Sequence, residues 1–295
     1  MFAVESRRLA PAAGPLLRGA VRCLRVLLAA LLLTAPPAGA HAAAFDDHFA
    51  VVFIDAETEA RYGGFPLDRA LIAESLAALA EAGARGVILK FFLDRAGDTA
   101  SDAALAAAMQ LMPVILQARI DDGEPAPHPL PSRFTLPFSA ATAISGSSGW
   151  IPAPRFAAAA AGIGFADYDG LPVALLETYR ERTVKSLLLA SLELAMGGPA
   201  DIDPGHHVTA GSWSFALDPL NRAAATPAAW PPLDYLPFHA LLEDGGRADR
   251  LVGKVVILGY DGARIPMLET PLGAISAHRL FIRVLEALFE QGGAP

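Results

Sequence analysis

The chain has 295 residues, is 53% hydrophobic and 18% charged, and carries a formal charge of −8 from 23 Lys+Arg against 31 Asp+Glu. That composition can fill a sizeable core and excludes a disordered chain, while the acidic balance excludes a general nucleic-acid binder. The single cysteine excludes a disulfide scaffold, a zinc finger and an iron–sulfur cluster held by four cysteines of this chain.

Residues 1–40 read as a targeting segment. Arg7, Arg8, Arg18, Arg22 and Arg25 precede an apolar run from Val26 to Ala35, and Ala38-Gly39-Ala40 follows. A basic region, a short apolar run and a small-residue site are the marks of a secretory signal. The apolar run would span roughly 15 Å as a helix, about half a bilayer core, so cleavage is expected over a permanent anchor. Both Sec and twin-arginine export stay open. The expected location is periplasmic or secreted. Without residues 1–40 the charge becomes 18 − 30 = −12, which repels anionic lipid as well as nucleic acid. No strong affinity for membrane surfaces is therefore expected.

The rest of the chain reads as βαβαβ, a long insertion and a returning βα. The run Ala50–Ile54 is short, apolar and bounded by aspartates, as suits a strand buried on both faces. Helical spacing of Leu71, Ile72, Ser75, Leu76 and Leu79 predicts a helix that Asp68 caps and Gly83 ends. Gly86–Phe92 is the second strand, and the crossover between the two makes the sheet parallel. A helix over Ser101–Met109, capped by Ser101 or Asp102, leads to a third strand at Pro113–Leu116. Residues 119–162 are rich in proline, alanine, serine and glycine and read as surface loops with a few short strands. Thr183–Met196 is a leucine-rich helix, Ser212–Leu217 alternates like a half-buried strand, Leu251–Leu258 is a buried strand, and Leu280–Leu288 marks a final amphipathic helix. The expected fold class is α/β, a mostly parallel central sheet with flanking helices and a loop-rich insertion, as one domain over residues 45–290.

Several segments, taken in order, resemble a known family. They are Phe53-Ile54-Asp55, Phe65-Pro66-Leu67-Asp68-Arg69, Ala82-Gly83-Ala84 before an apolar strand, and Ser101–Ala106. They continue with Gly164 and Asp167-Tyr168-Asp169-Gly170, Val184-Lys185-Ser186-Leu187, Leu251–Gly259, Thr270-Pro271-Leu272-Gly273 and Ala277-His278. Over about residues 50–290 the chain resembles the CHASE2 domain, an extracellular sensory module of bacterial signalling receptors. The resemblance implies a non-enzymatic sensory fold in signal transduction, here a copy without an output domain. Lys90 stands where the family usually has an aspartate, which would alter any ligand the family shares.

Ligands in open parallel sheets sit beyond the carboxyl ends of the strands. Asp55 follows the first strand, Lys90 and Asp94 end the second, and Asp261 follows the returning strand. Asp55, Lys90 and Asp261 are expected to converge, either as a polar pocket for a small charged ligand or as a structural ion pair. Arg69 is a candidate anion contact, with packing on Tyr62 or Phe65 and pairing with Asp68 or Glu74 as its structural alternative. Asp167 and Asp169 read as a turn held by side-chain hydrogen bonds rather than a calcium loop. His206-His207 beside Asp201 and Asp203 is weakly metal-like but lacks ligand spacing. His278 is expected to cap or pack.

Three functions follow. The first is a sensory module without catalytic residues or cofactor, binding a small molecule or an envelope or membrane signalling protein. The second is a divalent-metal hydrolase using Asp55, Glu57 and Asp261, with Lys90 stabilising developing charge. The third is a structural partner of an envelope protein that has lost ligand binding.

Overall fold

The computed structural model describes residues 44–293 except 124, 126, 228 and 245–247. The targeting segment at residues 1–40 lies outside the described residues. In chain order, β1 (Phe49–Ile54) leads through α1 (Ala56–Tyr62) and α2 (Arg69–Glu81) to β2 (Gly86–Lys90). Next come α3 (Thr99–Ala108), β3 (Val114–Ile120), β4 (Gly149–Trp150), α4 (Pro154–Ala159) and β5 (Gly162–Phe165). A hairpin of β6 (Leu176–Tyr179) and β7 (Arg182–Lys185) precedes α5 (Leu187–Met196). After a three-stranded sheet within residues 201–216, the chain returns through β8 (Leu236–Pro237), α6 (Phe238–Asp244) and β9 (Val255–Tyr260). It ends with the hairpin β10 (Met267–Thr270) and β11 (Gly273–Ser276) and the long α7 (Ala277–Gly292).

The central sheet runs β8, β1, β9, β2, β3, β5, all parallel, with β4 added antiparallel at the far end of β3. The returning strand β9 is thus the central one, pairing Phe49 with Val255 on one side and Gly86 with Val255 on the other. Burial on both faces explains why these strands are continuous apolar runs rather than alternating ones. Period two divides each strand between two cores. Val52, Ile54, Val87, Leu89, Val256 and Leu258 meet residues of α2, α3, α4 and α6. Val51, Phe53, Ile88, Ile115, Val255 and Ile257 meet α5 and α7. Lys90 shares the parity of Ile88, so its side chain emerges on the α5 and α7 face.

The expected α/β class with a mostly parallel sheet is what the chain adopts. Several boundaries differ. The second strand stops at Lys90 rather than Phe92, and the third continues to Ile120. Helix α3 is capped by Asp98, whose carboxylate accepts from Ala100 and Ser101 backbone N–H, not by Ser101 or Asp102. Thr183–Lys185 is strand, and the helix begins after Ser186, whose hydroxyl accepts from Leu189 N–H. Two β-branched residues, Thr183 and Val184, favour the strand there. The insertion holds short strands, one turn of 3-10 helix and α4, with Ile151 and Phe156 fully buried.

Candidate functional site

Five residues were expected at the site, and the fold disperses them. Asp55 is the N-cap of α1, its Oδ1 accepting from Thr58 N–H at 2.9 Å and from Thr58 Oγ1 at 2.8 Å. Asp261 lies beside it in register, since its N–H donates to Ile54 O at 3.0 Å. Its carboxylate, however, turns to α7 and its cap. Ser276 Oγ donates to Oδ1 at 3.0 Å, and Arg279 donates to Oδ2 from Nε at 2.9 Å and Nη2 at 2.6 Å. Neither carboxylate meets Lys90, whose Nζ donates to Gln117 Oε1 at 2.5 Å. The expected convergence of Asp55, Lys90 and Asp261 is therefore corrected: local caps and the Arg279 fork satisfy the two acids.

Arg69 pairs with Asp102, donates to Arg95 O, and stacks its guanidinium 5.0 Å from the Phe156 ring centroid. That replaces the expected Asp68 or Glu74 partner and the Tyr62 or Phe65 surface. Asp94 is 3.6 Å from its neighbour Arg95. Among the described residues no group of three or more His, Cys, Asp and Glu residues is placed to hold a metal ion. His207 instead sits 3.6 Å from Asp203 on an exposed hairpin. The carboxylate set of the hydrolase reading is thus not assembled.

Lys90 does line a cavity of about 560 Å³ at the carboxyl ends of β2, β3 and β5. Its walls include Gln117, Arg119, Asp167 and His278 together with the aromatic residues Phe92, Trp150 and Phe281. Phe92 and Trp150 pack edge to face at 4.4 Å, and Lys90 Nζ lies 4.9 Å from the Phe281 ring centroid. The first turns of α5 and α7 also reach the cavity, through Ser186 and Leu188 and through Ala277, His278 and Leu280. Their helix dipoles bring partial positive charge to it.

Burial sets the electrostatics. Lys90 is 6% exposed, and removal from water pushes its pKa down to about 7, helped by Arg119 and opposed by Asp167. His278 Nδ1 accepts the Tyr260 backbone N–H at 3.0 Å, which fixes the neutral ring with its proton on Nε2. Burial, reinforced by the Lys90 charge, holds the His278 pKa well below the usual range, so the ring stays neutral.

Asp167 ties the cavity wall to β3. Its Oδ2 accepts from Ile120 N–H at 2.8 Å, and Arg119 Nε is 3.8 Å from Oδ1. This long-range tie corrects the expected local turn. Behind it stands Glu177, 0% exposed, with neither carboxylate oxygen reached by a donor among the described residues. Burial and the facing Asp167 raise the Glu177 pKa well above the usual carboxylate range. A retained proton supplies the missing donor, and Asp167 is its acceptor. Burial also raises the Asp167 pKa.

Sequence reasoning located Lys90 but missed Gln117, Glu177 and the aromatic walls. Two signals were present. Gln117 directly follows the apolar run Val114–Leu116, and Glu177 follows Leu175-Leu176, so each is a polar residue in a stretch patterned for burial.

Among the described residues no helix is long and apolar enough to cross a membrane. No curated protein and no solved structure is significantly similar to the chain. The model of the CHASE2 domain matches residues 24–291, nearly the whole chain and further toward the N-terminus than the anticipated segment. With the mostly parallel α/β sheet, that match places the chain in the CHASE2 domain family, a family of sensory domains of signal-transduction receptors.

Proposed function

We propose that this chain is an exported, non-enzymatic sensory domain that binds a small molecule in the cavity at the ends of β2, β3 and β5. The carrying observation is the cavity of about 560 Å³ itself, within the usual size of small-molecule sites. It combines apolar walls with a few polar groups, and it lies where parallel sheets place ligands. Its buried Lys90 and Gln117 engage each other and leave further N–H groups for a ligand. The signal passes to a membrane signalling protein of the envelope. Retention of the Asp55 and Asp261 carboxylates by Thr58, Ser276 and Arg279 speaks against the metal-hydrolase alternative.

The test is a thermal-shift screen of the purified chain against cell-envelope metabolites, alongside Ala277→Phe. That substitution adds bulk at a half-buried position of the cavity wall. The reading expects at least one compound to raise the unfolding temperature of the wild type and to leave the folded variant unmoved. Compounds that shift both proteins equally would place binding elsewhere and end the reading.

A further inference from the structure

We propose that the cavity takes a small aromatic monocarboxylate, its carboxylate received by Lys90, Gln117 and His278 and its ring by the Trp150 and Phe281 walls. The inference rests on the reading of this cavity as a ligand site and adds the class of ligand. It follows from a count of donors against acceptors. Gln117 is 3% exposed and lines the cavity; its Oε1 accepts from Lys90, and its amide Nε2 makes no hydrogen bond among the described residues. Lys90 spends one of its ammonium protons on Gln117 and has two more. His278 keeps Nε2–H because its Nδ1 accepts from Tyr260. Trp150 Nε1–H is buried without a partner among the described residues. The acceptor that lines the same walls from below the rim, Asp167, is occupied by Ile120 N–H, Arg119 and the Glu177 proton. Asp169 also lines the cavity but is exposed to water, so the buried part of the wall has spare donors and a committed acceptor, which suits a ligand that only accepts, as a carboxylate does.

Charge sets the valence. Lys90 and the exposed Arg119 contribute +2 and Asp167 and the exposed Asp169 contribute −2, while Glu177 and His278 are neutral, so the side chains of the wall sum to zero. The first turns of α5 and α7 add partial positive charge from two sides. Two helix N-termini together bring about +1, which one negative charge balances; a dianion such as a phosphate monoester would overcompensate it. The aromatic class follows from the Phe92–Trp150 edge-to-face pair and the Phe281 ring, which offer planar apolar surface.

The test uses benzoate, phenylacetate and indole-3-acetate with their primary amides as neutral isosteres, titrated into the full chain and followed by tryptophan fluorescence. At least one carboxylate is expected to bind about tenfold or more tightly than its amide, and Lys90→Met to abolish that preference. The pH dependence of the wild type gives the same information without any variant. Lys90 must be charged to hold the anion, and it shares the cavity with Arg119 of β3, with Asp167, Tyr168 and Asp169 of the segment after β5, and with His278 of α7. Because its free pKa is about 7, carboxylate affinity is expected to fall about fivefold or more from pH 6.5 to 8.5, with amide affinity flat. Amides binding as well as the carboxylates, a pH-independent carboxylate affinity, or no binding by any of the six overturns the proposal. If neutral compounds from the metabolite screen still bind and Ala277→Phe blocks them, the ligand-site reading stands and the carboxylate class alone falls.

Discussion

Glu177 is a carboxylic acid removed from water. It is fully buried, no donor among the described residues reaches its carboxylate, and Asp167 faces it. Its folded pKa lies above its unfolded one, so the folded state holds a proton that the unfolded state has released. Stability from this group is therefore present at low pH and is lost as pH rises from the usual carboxylate range through the folded pKa. Replacement by Gln keeps the shape and supplies an N–H donor to Asp167 without a titrating proton. Relative to wild type, Glu177→Gln is expected to gain about 1.4 kcal/mol or more of stability between pH 5 and pH 8, from urea unfolding at the two pH values. Equal unfolding midpoints at both would show that the carboxyl is not held neutral. Lys90 acts with the opposite sign and in a higher window: its folded pKa of about 7 penalises the folded state below pH 7 and releases that cost above it. The substitution leaves that contribution in both proteins, so it cancels in the comparison.

At the scale of elements, the cavity exists because three strand ends and two helix starts are held in fixed register. Gly164 on β5 is one point where this register is enforced. A Cβ there would lie 2.5 Å from Leu187 Cα and 2.9 Å from Leu187 N, at the first residue of α5. Both neighbours are backbone, so the strand and helix can only separate. Gly164→Ala is expected to destabilise the fold by roughly 1–3 kcal/mol and to widen the α5 side of the cavity. Unchanged thermal unfolding of this variant would mean that α5 does not pack as described. Helix α7 is fixed from the other end, where the Trp213 indole donates to Leu288 O at 2.8 Å.

The elements themselves were legible in the sequence where burial is two-sided or periodicity long. Ala50–Ile54, Val87–Leu89 and the α2 and α7 stripes carry signals that tertiary contacts do not reverse. The start of α5 was not legible, because Thr183–Lys185 carry both helix-compatible leucine neighbours and strand propensity, and only the pairing with β6 decides. The site was legible in part. Strand parity and the rule of strand ends lead to Lys90. They do not reveal that Asp261 is claimed by Arg279, eighteen residues on, or that Asp102 claims Arg69 across 33 residues. Such partners depend on how crossovers bring distant surfaces together, which local pattern does not contain.

At the scale of the molecule, the chain is a CHASE2 domain with a donor-bearing cavity at its strand ends, and the proposal is that it reports a small molecule outside the cytoplasm. Export fits the basic N-terminal arginines and the apolar run Val26–Ala35. Intact mass of the chain isolated from the envelope is expected to match a product that begins at or just after His41; a mass that retains residues 1–40 would contradict cleavage there. The most direct measurement of the central claim is calorimetric titration of the strongest compound from the metabolite screen into the chain and into Ala277→Phe. The account predicts a one-to-one isotherm for the wild type and none for the folded variant. The same isotherm in both proteins, or no binding compound at all, would contradict it.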